Sequence, residues 1–188
     1  MCRDALWTAN PNYPVNMTTW VILAGLPATG KSTLAHALAS RLHSATLEKD
    51  RIRHSIFGEA LTDYTREQND LVMRAMLDAA TYLTERKSVE FILFDGRTFS
   101  RNAQIDAVID AAESAGATWR ILHLSCADKT AEERLEREAA KHPAKNRDLA
   151  LYRQIEKSFE PIPYAKLDID TTQGFETKLD AILSYLHE

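Results

Sequence analysis

Residues Gly25 to Thr33 read Gly-Leu-Pro-Ala-Thr-Gly-Lys-Ser-Thr. They match the spacing G-x-x-x-x-G-K-[ST]. A glycine-rich turn lets successive backbone N–H groups of Gly25, Leu26, Pro27, Ala28, Thr29 and Gly30 (proline excepted) converge on one concavity. A helix start behind it adds its positive dipole end. Lys31 supplies a point charge for the β- and γ-phosphates of a nucleoside triphosphate. Ser32 offers a hydroxyl to Mg²⁺, and Thr33 completes the loop. The bland alternative is a chance match in a glycine turn. The context argues against it: Trp20 to Ala24 is a β-prone apolar run, and Leu34, Ala35, Ala37, Leu38, Ala39 and Leu42 follow at helical spacing.

A second group of residues falls at Asp50 to Arg53. A carboxylate at the end of a second strand faces the phosphate edge. Phosphoryl transfer to a hydroxyl needs a group that orients the hydroxyl and accepts its proton. Asp50 suits that role, and equally suits a helix N-cap. Arg53, three residues on, lies on the same side and could neutralise an anionic substrate group. Asp95 follows an apolar strand, as the acidic residue of a Walker B pattern does, and is read as a metal-side carboxylate with Ser32. The competing reading is a turn residue in Asp-Gly. Arg97 and Arg101 follow and are either substrate contacts or solvated charges. The Glu132–Glu138 segment places Arg134, Arg137 and Lys141 on one helix face. Most such charges form a solvated face. Their position after a strand and before His142-Pro143 makes them candidates for a lid arginine that closes on the phosphates.

These residues require a scaffold in which strand ends gather on one edge. Short apolar runs at Trp20–Ala24, Ala45–Glu48, Val89–Phe94, Trp119–Leu124 and Leu167–Asp170 alternate with helical stretches. The helices are read at Ser32–Leu42, Arg51–Phe57, Thr65–Arg86, Asn102–Ala115, Thr130–Lys141, Leu149–Phe159 and Phe175–Leu186. In the long one, Leu71, Val72, Met76, Ala79, Ala80 and Leu83 form the apolar side. Such alternation implies an α/β, three-layer fold with a parallel sheet and helices on both faces. Right-handed crossovers then put the first loop, Asp50, Asp95 and Asp170 on the same edge.

The chain has 188 residues, enough for one domain with a substantial core. The expected division is a tail over 1–16 and a single domain over 17–188, with a lid at about 128–148. A net charge of -4 offers no general attraction for nucleic acid. Cys2 and Cys126 form no C-x-x-C pair, and the early residues lack a signal-peptide core, so a cytoplasmic protein is expected. No run is long enough to span a membrane. Oligomeric state stays open.

Taken together, several motifs resemble a known group. They are the Gly-Leu-Pro-x-x-Gly-Lys-Ser-Thr loop; Asp50-x-x-Arg53 with Ile56-Phe57-Gly58; Asp95-Gly-Arg-Thr-Phe; Leu122-His123-Leu124 with the Glu-Arg-x-x-Arg helix; Phe159-Glu160-Pro161; and Ile169-Asp170-Thr171-Thr172. The chain is similar to the P-loop kinases of the polynucleotide-kinase, zeta-toxin and chloramphenicol-phosphotransferase group. The resemblance covers Met17 to about Thr172. It implies a five-stranded P-loop NTPase sheet in the order 2-3-1-4-5, Asp50 as general base and Arg53 near an anionic group of the acceptor. It also implies Lys31 with Arg134 or Arg137 on the phosphates, and Thr171 and Thr172 by the adenine. Arg97 stands where the group usually has a small residue, which hints at an anionic acceptor. The expected activity is ATP- and Mg²⁺-dependent phosphorylation of a hydroxyl on a small molecule. The alternatives are a polynucleotide 5′-hydroxyl kinase, a sugar-nucleotide kinase like the zeta toxins, and an ATP-hydrolysing switch without an acceptor.

Overall fold

A computed structural model describes residues 17–139 and 149–188. The expected tail over 1–16, and the lid residues 140–148 with Lys141, lie outside the described residues. Five parallel strands are present: β1 Thr19–Ala24, β2 Ser44–Glu48, β3 Phe91–Asp95, β4 Thr118–Ser125 and β5 Leu167–Asp170. Their order is β2-β3-β1-β4-β5, as the resemblance implies. β1 lies at the centre, and its Trp20 to Ala24 are fully buried, which is why that stretch reads as continuous rather than alternating.

The helices are α1 Lys31–Ala39, α2 Lys49–Phe57, α3 Arg66–Glu85, α4 Asn102–Ser114, α5 Asp128–Ala139, α6 Leu149–Lys157 and α7 Leu179–His187. A single 3₁₀ turn, Glu176–Lys178, precedes α7, so the last helix begins later than the periodicity predicts. Alternate residues of β1 serve opposite layers. Trp20 and Ile22 pack with Val72, Met76 and Ala80 of α3 and with Ile105 and Val108 of α4. Val21 and Leu23 pack with Leu34 and Leu38 of α1 and with Ile182 and Leu186 of α7. Each fully buried side chain of this size contributes roughly 1.5–3 kcal/mol. The buried Trp20 indole also keeps its donor satisfied, giving it to Thr84 Oγ1 at 2.9 Å.

One detail of the helices corrects the sequence reading. Leu71 is 41% exposed, and Met73 is buried in its stead on α3. The inward rows there run Gln68, Val72, Met73, Met76, Ala80 and Thr84. A third, small apolar cluster of Ala131, Leu135 and Tyr152 joins α5 to α6, with Leu26, Ala28 and Cys126 packed against it. The loop at Gly25 therefore rests on α5, inside the expected lid, and on α6, which follows it.

Candidate functional site

Gly25 ends β1 with φ +141°, and a Cβ there would meet the Leu124 carbonyl oxygen at 2.2 Å. Its amide donates to Thr98 O at 3.0 Å. Only glycine permits this close approach between the loop and β4. Further on, Ala28 (φ +61°) and Gly30 (φ +88°) are both left-handed. Ala28 pays a conformational penalty of about 1–2 kcal/mol for that geometry. Such a run of alternating conformations points successive amides inward, a nest for an anion. Gly30 is the N-cap of α1 and brings no side-chain cap, so the helix start faces the cavity with its own N–H groups.

Lys31 is 9% exposed. Its ammonium donates to Gly25 O at 2.9 Å and Leu26 O at 2.6 Å, and reaches Thr29 Oγ1 at 3.5 Å. The charge is thus held over the loop that surrounds it. Ser32 and Thr33 sit exposed in the first turn of α1 and line the same cavity.

Asp50 is not a helix cap. α2 starts at Lys49, with Glu48 in the cap position, and this leaves the Asp50 carboxylate in the first turn. That carboxylate accepts from Arg53 Nη1, one turn along. Arg53 is 1% exposed. Its other terminal nitrogen donates to Asn69 Oδ1, and its guanidinium lies 4.7 Å from the Tyr64 ring centroid. Asn69 is in turn oriented by its own Nδ2, which donates to Tyr64 O and Thr65 O at 3.0 and 2.7 Å. Arg53 thereby fixes the direction of Asp50 from a buried position.

Asp95 is 4% exposed and lies beside Glu48 in the β2–β3 register. One carboxylate oxygen accepts from Gly96 N at 2.7 Å. Gly96 (φ +92°) passes so near α2 that a Cβ would lie 3.0 Å from Lys49 Cβ. This turn carries the next residue, Arg97, to the cavity wall. Arg97 is half-buried, and that burial lowers its pKa while the Asp70 carboxylate opposes the shift. Arg101 is exposed in the cap position of α4.

The lid arginines separate. Arg134 does not reach across the cavity: it donates to Ala28 O at 3.2 Å, Thr171 Oγ1 at 3.1 Å and Thr171 O at 2.7 Å. Thr171 is buried, with its hydroxyl also 2.9 Å from Thr29 O and 3.1 Å from Ser125 O. Arg137 is exposed in the last turn of α5. Thr172 closes a turn by donating its amide and hydroxyl to Asp170 Oδ1 at 2.9 and 2.6 Å.

The structure brings Lys31, Ser32, Thr33, Asp50, Arg53, Asp95, Arg97 and Arg101 around one cavity of about 1340 Å³. Arg134, Thr171 and Thr172 do not line it; Arg134 and Thr171 bond instead to the loop carbonyls of Ala28 and Thr29. Sequence reasoning missed Asn69, Tyr64 and Gln104, and the α3 charges Arg66, Asp70 and Arg74, all of which share that wall. Apart from Tyr64, in the loop before α3, they come from helix faces that the linear pattern does not align with the strand ends. It also missed Arg153, which binds Asp128, Glu132 and Glu156 and so ties α6 to α5. Among the described residues no helix is long and apolar enough to cross a membrane, and no cluster of three metal-binding side chains occurs.

The AAA domain family model matches residues 21–162. The chain belongs to the AAA domain family. Solved structures share the fold of this member. One is the "putative kinase" of Chloroflexus aurantiacus: 21% identity, TM-score 0.73, covering 91% of this chain and 97% of that one. Another is the APS kinase of Mycobacterium tuberculosis in complex with AMPPNP and APS: 14% identity, TM-score 0.66, covering 92% and 99%. A third is a sugar kinase from Janibacter: 17% identity, TM-score 0.60, covering 90% and 95%. The family member described here thus has the P-loop kinase fold. No curated protein matches its sequence.

Proposed function

We propose that this protein transfers the γ-phosphoryl group of ATP to a hydroxyl of a small acceptor. The observation that carries the reading is the two-sided cavity. Lys31, Ser32 and the loop amides form one wall, and Asp50, held by Arg53, forms the other. A protein that only bound or slowly hydrolysed ATP would have no need of an oriented carboxylate opposite the phosphate loop. The neighbouring folds support the same class, since they include an APS kinase with AMPPNP and APS and a sugar kinase.

In this reading the amides of Leu26, Ala28, Thr29 and Gly30 and the ammonium of Lys31 hold the β- and γ-phosphates. Asp50 accepts the proton of the acceptor hydroxyl as its oxygen bonds to phosphorus. The bond to the β-phosphate oxygen breaks, and ADP leaves. Positioning and charge stabilisation supply most of the acceleration. Thr171 and Thr172 lie beside the nucleobase end, and Arg134 links that end to the loop. Arg137 is the arginine placed to move with the lid. Mg²⁺ fits the donors present: the Ser32 hydroxyl and the buried Asp95 carboxylate are hard oxygen ligands on one cavity. So small a protein set suits an ion that keeps waters and binds phosphates. Mg²⁺ would neutralise phosphate charge there.

The test is a transfer screen with labelled ATP against sugars, nucleosides, aminoglycosides and 5′-hydroxyl oligonucleotides. Asp50→Asn keeps the shape of the site and is expected to lower transfer at least about a hundredfold while ATP affinity stays unchanged. ATP turnover indifferent to Asp50→Asn, with no acceptor labelled, would favour the switch. Labelling confined to oligonucleotides would reassign the acceptor to nucleic acid.

A further inference from the structure

The acceptor wall holds more positive charge than its local carboxylates use. Arg53 gives its two terminal nitrogens to Asp50 and Asn69, while its buried Nε has no hydrogen-bond partner. Arg66 lies 3.7 Å from Asp70 in an exposed pair. Arg97 is different. It is half-buried on the cavity wall, yet no hydrogen bond or ion pair engages its guanidinium among the described residues. A cation withdrawn from water without an acceptor is costly, and arginine is the residue whose planar fork suits an oxyanion. Arg101 and Arg74 stand exposed on the same wall.

A neighbouring residue adds an independent sign. Gln104, in the first turn of α4, lines this cavity, and its buried Oε1 has no hydrogen-bond partner. The side-chain amide can present either its oxygen or its NH₂ to a ligand. The start of the thirteen-residue α4 contributes its positive end to the same place. Of the carboxylates on this cavity, Glu67 and Asp70 are exposed on α3, Asp50 is engaged by Arg53, and the buried Asp95 accepts from Gly96 N. Among the described residues, the buried or half-buried groups on this wall without a hydrogen-bond partner are therefore Arg53 Nε, the half-buried Arg97 guanidinium and the Gln104 amide oxygen, and two cations beside one amide select an anion over an ammonium.

We infer that Arg97 and Gln104 form an oxyanion subsite, so that the acceptor is a small hydroxylated acid whose carboxylate, sulfate or phosphate is held there while its hydroxyl faces Asp50. The backbone that carries Arg97 passes beside the start of α2, which carries Asp50. Gly96 adjoins Arg97 in the chain, and a Cβ on Gly96 would lie 3.5 Å from Asp50 N. This inference rests on the kinase reading for the word acceptor, but the subsite itself can be tested without turnover.

The probe is inorganic phosphate, titrated by calorimetry into protein saturated with AMPPNP and Mg²⁺, so that the phosphate loop is already filled. Wild-type protein should bind one phosphate. Arg97→Gln and Gln104→Ala should each weaken it, Arg97→Gln by at least about tenfold, with Arg97→Lys in between. Melting curves establish that the variants are folded. Absence of phosphate binding in the loaded wild type, or equal binding by folded Arg97→Gln, overturns the subsite. Matched acceptors then identify its source: gluconate against glucose for a carboxylate, glucose 6-phosphate against glucose for a phosphate. Equal transfer to neutral and acidic members overturns the inference and leaves the kinase standing. Phosphate binding that depends on Arg97, with no transfer to any member and free ATP hydrolysis, retains the subsite and removes the kinase reading.

Discussion

Arg53→Met isolates what a buried cation does for the carboxylate that faces the phosphate loop. Methionine keeps most of the stem volume and deletes the guanidinium. Two charge-assisted hydrogen bonds disappear, those to Asp50 and Asn69. Such bonds are worth about 1.5–3 kcal/mol each when neither end can rehydrate. Here the Asp50 side chain is 28% exposed, so its half can be partly recovered from water. Asn69 keeps its two backbone acceptors, and only its oxygen loses a partner. The stack on Tyr64 adds about 0.5–2 kcal/mol. Against these losses, the guanidinium no longer has to be desolvated. The net expectation is about 2–4 kcal/mol of stability, or a fall in Tm of about 4–16 °C for a chain of this size. Arg53 stands across the cavity from the loop, so ATP affinity should change by less than about twofold. Acceptor kcat should fall much more, because Asp50 loses its fixed direction. Calorimetric melting, nucleotide titration and steady-state kinetics measure the three quantities. A variant melting within a degree of wild type would refute the energetic reasoning. Loss of ATP affinity with an unchanged kcat would refute the placement of Arg53 on the acceptor side.

Other expectations follow from single contacts. Gly25→Ala forces a Cβ onto a backbone oxygen 2.2 Å away and should prevent normal loop formation, whereas Gly30→Ala meets nothing nearer than 3.9 Å. Gly30→Ala should therefore cost only the left-handed strain, about 1–2 kcal/mol, and denaturant titration of both variants checks the contrast. The Thr172 hydroxyl and then its amide hold the Asp170 carboxyl below its ordinary value of 3.8. Stability from this turn is present above that pH and is lost as pH falls through the lower folded value; Thr172→Val should flatten the acid limb of a melting-versus-pH curve. Burial, followed by the Asp128 charge, pushes the Tyr152 phenol up to about 12. Its contribution is complete below about pH 10 and is lost as pH rises towards 12, so Tyr152→Phe should lessen alkaline destabilisation and remove one high-pH phenolate from the ultraviolet titration.

Much of the scaffold was legible because its signals are local. The apolar run Trp20–Ala24 before Gly25 marks a central strand and its loop, and strand–helix alternation gives the layers. Sheet order required the resemblance, since alternation alone does not rank strands across a sheet. Leu71 misled because an apolar type beside Val72 looks inward until Met73 is seen to take that row. Asp50 looked like a cap because helix starts are uncertain by a residue or two, and here two residues decide between a capping role and a carboxylate paired one turn on. The partners Asn69 and Tyr64 were illegible for a simpler reason: they lie sixteen and eleven positions from Arg53, and only the packing of α3 and the loop before it on α2 joins them. Arg134 carried the right charge for a lid, but sequence does not say that Ala28 and Thr171 offer its guanidinium three oxygens.

That arginine has a kinetic consequence. Arg134, Thr171, Thr29 and Ala28 form a brace from α5, through the end of β5, to the back of the phosphate loop. The brace uses groups that no phosphate needs, so the loop's shape is set when the chain folds and not when nucleotide arrives. An ordered receptor loses little further entropy on binding. Nucleotide capture should then approach a rate set by diffusion and charge, with release governed by how quickly phosphate contacts break. The slow rearrangement of a catalytic cycle would fall on segments outside the brace, leaving the cradle itself still.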